Sequence, residues 1–238
     1  MRVLVAFLLF AAILCKHHTD HCSNEDYDVI ILVGFAAADQ TSISSQTHLP
    51  KGVDAFSIHG FWPTVSNPKV HCPGNCGGPG FSESKIEDLK PELEKLWPTY
   101  MSRGDESFHQ HEYEKHGRCA IHGKAGAGTD HAITDERSYF TVVMDLFKNL
   151  DYENTLAKEG VTPSTTKTYE LNDILNALHY GTGKLCTIGC GRGNDGKTYL
   201  NTITACFDNN LEQVSCSLER VHYDTWKCQG DIHYLPMP

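Results

Sequence analysis

Ten cysteines limit this chain more than any other feature. They stand at Cys15, Cys22, Cys72, Cys76, Cys119, Cys186, Cys190, Cys206, Cys216 and Cys228 in 238 residues. Ahead of them, Met1-Arg2 is followed by an almost wholly apolar run from Val3 to Leu14. One positive charge before a short apolar run is the pattern of a secretory signal peptide. A bilayer span needs roughly 20 apolar residues, so stable membrane insertion is not expected. Residues 1–15 are read as the signal, although no clean A-x-A site marks the cut. In an oxidising compartment the remaining cysteines pair as disulfides. Without Cys15 nine remain, an odd number that leaves a free thiol or an intermolecular bond. A monomer is expected, with a disulfide dimer through the odd cysteine as the alternative. Zinc competes for Cys72-x3-Cys76 and Cys186-x3-Cys190, and the secretory context disfavours it. No metal and no other cofactor is expected.

Hydrophobic residues make up 40% of the chain, enough to bury a core and to exclude global disorder. Asp28 to Phe35 is a β-branched run and reads as a buried central strand. Ala55 to Phe61 reads as a second strand, stopped by Trp62-Pro63. Residues 66–80 are rich in Pro, Gly, Asn and Cys and read as a pinned loop. From Ser82, the residues Ile86, Leu89, Leu93, Leu96 and Trp97 follow a helical period that Pro91 divides and Pro98 ends. The 108–119 stretch reads as a helix beside a cleft. Asp135 to Leu150 presents Tyr139, Phe140, Val143, Met144, Phe147 and Leu150 at helical spacing, a core helix. Lys167 to Glu170 is strand-like, Asn172 to His179 helical, and Thr198 to Phe207 a late strand. The grouping points to an α+β fold: one domain over residues 22–230, with a central, mostly antiparallel sheet flanked by helices and stapled by disulfides, then a short tail over 231–238.

The formal charge is −10, which argues against a general basic clamp for nucleic acid at neutral pH. Removing Arg2 with the signal makes it −11, and full protonation of the 14 histidines would bring it to about +3. A polyanion would thus be bound better in an acidic compartment. The chain has no Asn-x-Ser/Thr sequon, so N-glycosylation adds no support for secretion.

The chemistry concentrates in two stretches. His111-Glu112-Tyr113-Glu114-Lys115-His116-Gly117-Arg118-Cys119 packs two histidines, carboxylates and an ammonium ahead of a cysteine. Phe56-Ser57-Ile58-His59-Gly60-Phe61-Trp62-Pro63 supplies a third histidine. A zincin helix needs histidines at i and i+4; His111 and His116 are at i and i+5, about 140° apart on an α-helix, which suits one metal poorly. Helical spacing instead pairs His111 with Lys115 as an anion-holding face, and Glu112 with His116 as a carboxylate beside a proton-transfer imidazole. Two histidines flanking one centre, one as base and one as acid, with a nearby cation for phosphate charge, are what RNA transphosphorylation requires. Taken singly, each of these histidines reads as a surface residue on a charged helix. Together they favour the catalytic reading.

Both stretches resemble the two active-site segments of the T2 family of ribonucleases. Phe56 to Pro63 is similar to the first segment, and Phe108 to Cys119 to the second. The Ile86 to Pro98 pattern, the Leu156 to Ser164 stretch and the C-terminal cysteines extend the resemblance over roughly residues 27–228. It implies an endoribonuclease acting on single-stranded RNA and not DNA, secreted or lysosomal, with His116 as base and His59 as acid. Glu112 and Lys115 would stabilise the pentavalent phosphate, His111 would hold phosphate, Trp62 would stack on a base, and Phe108 would line a second base site. It implies pairs Cys72–Cys119, Cys186–Cys228 and Cys206–Cys216, with Cys76 a rival partner for Cys119. A non-enzymatic secreted effector or binding protein on the same fold is the alternative function. Thr64 stands where the family usually has Asp, Tyr113 replaces a usual Trp, and Gly34-Phe35-Ala36-Ala37-Ala38 replaces a Gln, Trp-Pro and cysteine pattern. These departures touch base preference and the substrate rim.

Overall fold

The computed structural model describes residues 27–44, 48–69, 74, 76–101 and 104–238. The expected signal peptide, Cys15, Cys22 and Cys72 lie outside them. The β-branched run becomes strand β1 (Val29–Ala36), buried at every position but Phe35. With β2 (Phe56–Thr64), β3 (Thr168–Tyr169), β4 (Thr187–Arg192), β5 (Thr198–Phe207), β6 (Gln213–Val214) and β7 (Ile232–His233) it forms one sheet. The path is β2-β1-β5-β7-β3, and β4 and β6 also pair with β5. All pairings are antiparallel except β5 with β7. The class is α+β, as expected.

The helices are α1 (Ala37–Ile43), α2 (Lys90–Leu96), α3 (Asp105–Glu112), α4 (Arg118–His122), α5 (Glu136–Leu150), α6 (Tyr152–Lys158), α7 (Leu171–Thr182) and α8 (Leu218–Asp224). Pro91 falls in the first turn of α2, where a missing N–H leaves nothing unpaired. Asp135 caps α5 by accepting from Ser138 N–H at 2.8 Å, and Ser138 Oγ accepts from Asp135 N–H at 2.9 Å. From α5, Tyr139, Phe140, Val143 and Met144 meet Ile30, Leu32, Ile58 and Phe61 of the sheet in the main core. Fully burying side chains of this kind is worth roughly 1.5–3 kcal/mol each. The opposite sheet face carries a smaller cluster of Val29, Ile31, Val33, Cys206 and Cys216, against which Trp62 packs.

Four expectations change. The second strand does not stop at Trp62-Pro63. It runs to Thr64 because β2 is an edge strand, where proline's missing donor costs no ladder bond. The first disulfide joins Cys119 to Cys76, not Cys72: their Cα atoms are 5.0 Å apart and Cys76 N–H points at Cys119 Sγ from 3.2 Å. The second joins Cys228 to Cys190, not Cys186, with a Cα separation of 5.0 Å. Cys186 is a buried free thiol just before β4, contacted by Thr182 and Gln213. Cys206–Cys216 forms as expected. The last eight residues, read as a tail, contain β7 and bury Ile232 and Tyr234.

Asp39, in the first turn of α1, is fully buried and accepts from Leu235 N–H at 3.2 Å. Burial pushes its carboxyl up to about 8, opposed by that hydrogen bond. A folded-state value above the unfolded one means stability present at low pH and lost as pH rises through 8. Asp39→Asn should therefore raise the melting temperature at pH 8 and above, and the gain should close near pH 4. Equal gains at both pH values would contradict the assignment.

Candidate active site

His59 reaches the site because it is the extra residue of a β-bulge. Val33 of β1 faces Gly60 of β2, yet the next residue, Gly34, faces Ile58. Bulges bend a strand and re-aim a side chain. Phe56 and Ile58 before the bulge and Phe61 after it all reach the main core, which an unbroken period of two would forbid. The His59 carbonyl, left out of the ladder, accepts Trp97 Nε1–H at 3.0 Å. The imidazole meets Trp62 edge-on with centroids 4.8 Å apart, and lies 6.3 Å from Phe108.

The second segment is not one α-helix. After α3 ends at Glu112, a π turn spans Tyr113–Gly117 before α4 begins. A π turn adds a residue per turn, so the 140° argument and the i, i+4 pairing read from the sequence do not describe this geometry. Gly117 permits the close packing: a Cβ there would come 2.8 Å from the Tyr113 ring and 3.0 Å from Tyr139. Tyr113 is itself buried in the core. His109, between the site residues, is a core histidine whose Nε2 lies 2.8 Å from the Trp97 carbonyl.

The structure brings Glu112 and His116 to Trp62 rather than to each other. Trp62 Nε1–H donates to Glu112 Oε2 at 2.8 Å, and the His116 ring sits 5.2 Å from the indole. Trp62 thus touches both histidines and also fixes the carboxyl. His111 and Lys115 are within electrostatic reach of both imidazoles. Phe108 and His111 line a cavity of about 470 Å³ together with Gln110 and Thr99. Among the described residues, no group of three or more His, Cys, Asp or Glu side chains is placed to hold a metal ion.

Burial, then the positive fields of His111 and Lys115, lower His59 to about 3. His116 falls to about 3 through burial, then Lys115, His111 and His59. Burial raises Glu112 to about 7, against the Trp62 hydrogen bond and Lys115. The site therefore holds two neutral imidazoles in a positive field, set to receive an anion. The lowered histidines contribute stability present above their unfolded value, about 6.5, and lost as pH falls toward 3. In histidine NMR titrations of the ligand-free protein, both midpoints should lie well below 6.5, and inorganic phosphate should move both upward. Ordinary midpoints without phosphate would contradict this.

Gly60 and Phe35 escaped the sequence reading. A Cβ on Gly60 would overlap Trp62 Nε1 and Glu112 Oε2. A glycine inside a strand is a signal of such close approach that could have found it. Phe35 stacks on His59, and no sequence signal marks it.

The Ribonuclease T2 family profile matches residues 12–216, which include both histidine segments. The chain belongs to the ribonuclease T2 family. It is 32% identical over 182 residues to Ribonuclease DdI of Dictyostelium discoideum, covering 76% of this chain and 73% of that one. The crystal structure of RNase NT in complex with 5′-AMP superposes with a TM-score of 0.73 at 27% identity, covering 89% of this chain and all of the other. Human RNase T2 gives a TM-score of 0.69 at 25% identity, covering 88% and 99%.

Proposed function

We propose that this chain is an endoribonuclease that cuts single-stranded RNA by metal-independent transphosphorylation. The observation that carries the reading is the gathering of His59 and His116 against one indole, 4.8 and 5.2 Å from the Trp62 ring, within electrostatic reach of each other. His116 takes the 2′-hydroxyl proton, and the freed oxygen attacks the adjacent phosphorus. His59 protonates the leaving 5′-oxygen, giving a 2′,3′-cyclic phosphate that water then opens to a 3′-phosphate. His111 and Lys115 hold the phosphate. With its pKa near 7, Glu112 is largely protonated in acid and can donate to a phosphate oxygen that a carboxylate would repel. Trp62 offers a π-face for one base and Phe108 lines the site of a second. DNA lacks the attacking hydroxyl and is not a substrate.

One imidazole must be neutral and the other charged, so the rate peaks on the acidic side of neutral. The apolar leader and the three disulfides among the described residues support export to an extracellular or lysosomal-type compartment. Among the described residues no helix is long and apolar enough to cross a membrane. The test is digestion of a defined single-stranded RNA with and without chelator, mapping the cut sites and end groups. The reading expects equal rates and 3′ or cyclic phosphate ends. Loss of activity with chelator, or 5′-phosphate ends, would overturn it.

A further inference from the structure

Phe35 lies face to face with His59, ring centroids 4.1 Å apart and planes 19° apart. Reactive histidines are usually oriented by a hydrogen bond to the nitrogen that does not touch substrate. His59 Nδ1 is buried and has no hydrogen-bond partner among the described residues. Phe35 is itself held from behind. Tyr100 meets its ring edge-on at 5.4 Å, and the Tyr100 hydroxyl is 2.7 Å from Ser57 Oγ. Ser57 is the residue opposite Phe35 in the β1–β2 pair, so the support closes on itself. Phe35 packs, as do Leu49 and Met237, against the small cluster of Ala37, Val53 and Tyr100.

We infer that Phe35 is a positioning residue for the acid. Its ring fixes the His59 imidazole plane by stacking, where a hydrogen-bonded acceptor would otherwise do so, and leaves Nε2 as the nitrogen offered to substrate. The inference rests on the transphosphorylation reading. The charged groups facing His59 are His111, Lys115 and His116, all of which disfavour an imidazolium. The Phe35 face, 4.1 Å away, favours it through the attraction of a cation for an aromatic ring.

Phe35→Leu should lower kcat at least 10-fold with KM within about twofold, because orientation at the reacting atoms is lost while phosphate and base contacts remain. The alkaline limb of the pH–rate profile, set by the acid, should move to lower pH. In phosphate-saturated protein the His59 NMR midpoint should fall in parallel. Phe35→Tyr, which keeps the ring, should restore all three. Met237→Ala loosens the same cluster without touching His59; it should lower the melting temperature and leave the pH profile unchanged. Phe35→Met replaces the leucine variant if that one does not fold. A wild-type kcat and pH profile in Phe35→Leu, or the same pH shift in Met237→Ala, would overturn the inference. If the wild-type protein does not cleave RNA, the functional reading fails, while the His59 titration still decides whether Phe35 governs the imidazole.

Discussion

Replacing His59 or His116 by alanine should each reduce RNA cleavage by about 10²–10⁴-fold, the range for one positioned acid or base. The loss should fall on kcat, since the proposed substrate contacts of His111, Lys115, Trp62 and Phe108 are left in place. The double variant should be little worse than either single one, because acid and base act as a unit. Both variants should fold. Each imidazole is only half-buried and held at about 3 by burial and by neighbouring positive charge, so its removal relieves a penalty rather than a support. The sign follows from linkage: a group whose folded pKa is lowered costs stability as pH falls below its unfolded value. The alanine variants should then lose less stability between pH 6.5 and 4 than the wild-type protein does. Near wild-type cleavage by either variant would end the assignment.

Gly60→Ala is the second large effect, and it comes from backbone approach. The added methyl would overlap both partners of the Trp62–Glu112 hydrogen bond. The partners are an indole in contact with both imidazoles and a carboxyl buried to 2% exposure, so neither can swing away without disturbing the site. Overpacking of this kind costs roughly 1–3 kcal/mol of stability, and a displacement near 1 Å at reacting groups costs about 10²-fold in rate. The variant should therefore keep a cooperative thermal transition at lower temperature and lose activity out of proportion to that change. Glu112 freed from Trp62 should also change its titration. Full activity in Gly60→Ala would show that the Trp62–Glu112 contact does not hold the site together.

What the sequence made legible, it did through periodicity and residue type. The β-branched run from Asp28 to Phe35 read as a buried strand, and the apolar stripe from Asp135 to Leu150 as a core helix. The two histidine stretches pointed to acid–base chemistry because few other tasks need that combination. What was hidden depended on a single inserted residue. The bulge at His59 turns one imidazole toward the cleft and shows in the sequence only as a phase slip between Ile58 and Phe61, while the π turn at Tyr113–Gly117 re-aims His116 without a trace in a periodicity count. Disulfide partners were hidden for a related reason. Cys72 and Cys76, or Cys186 and Cys190, differ by four positions, and only the folded backbone decides which lies about 5 Å from its partner. Phe35 is apolar in an apolar strand, and nothing local separates it from a core residue.

In the proposed reaction the 2′-hydroxyl is the nucleophile and two histidines, not a metal, move the protons. The decisive substrate is an oligodeoxynucleotide carrying one internal ribonucleotide, incubated with the protein in chelator at mildly acidic pH. One cut is expected, immediately 3′ of the ribonucleotide, with a 2′,3′-cyclic phosphate on that residue. Cutting at a deoxynucleotide, or a product bearing a 5′-phosphate, would contradict it.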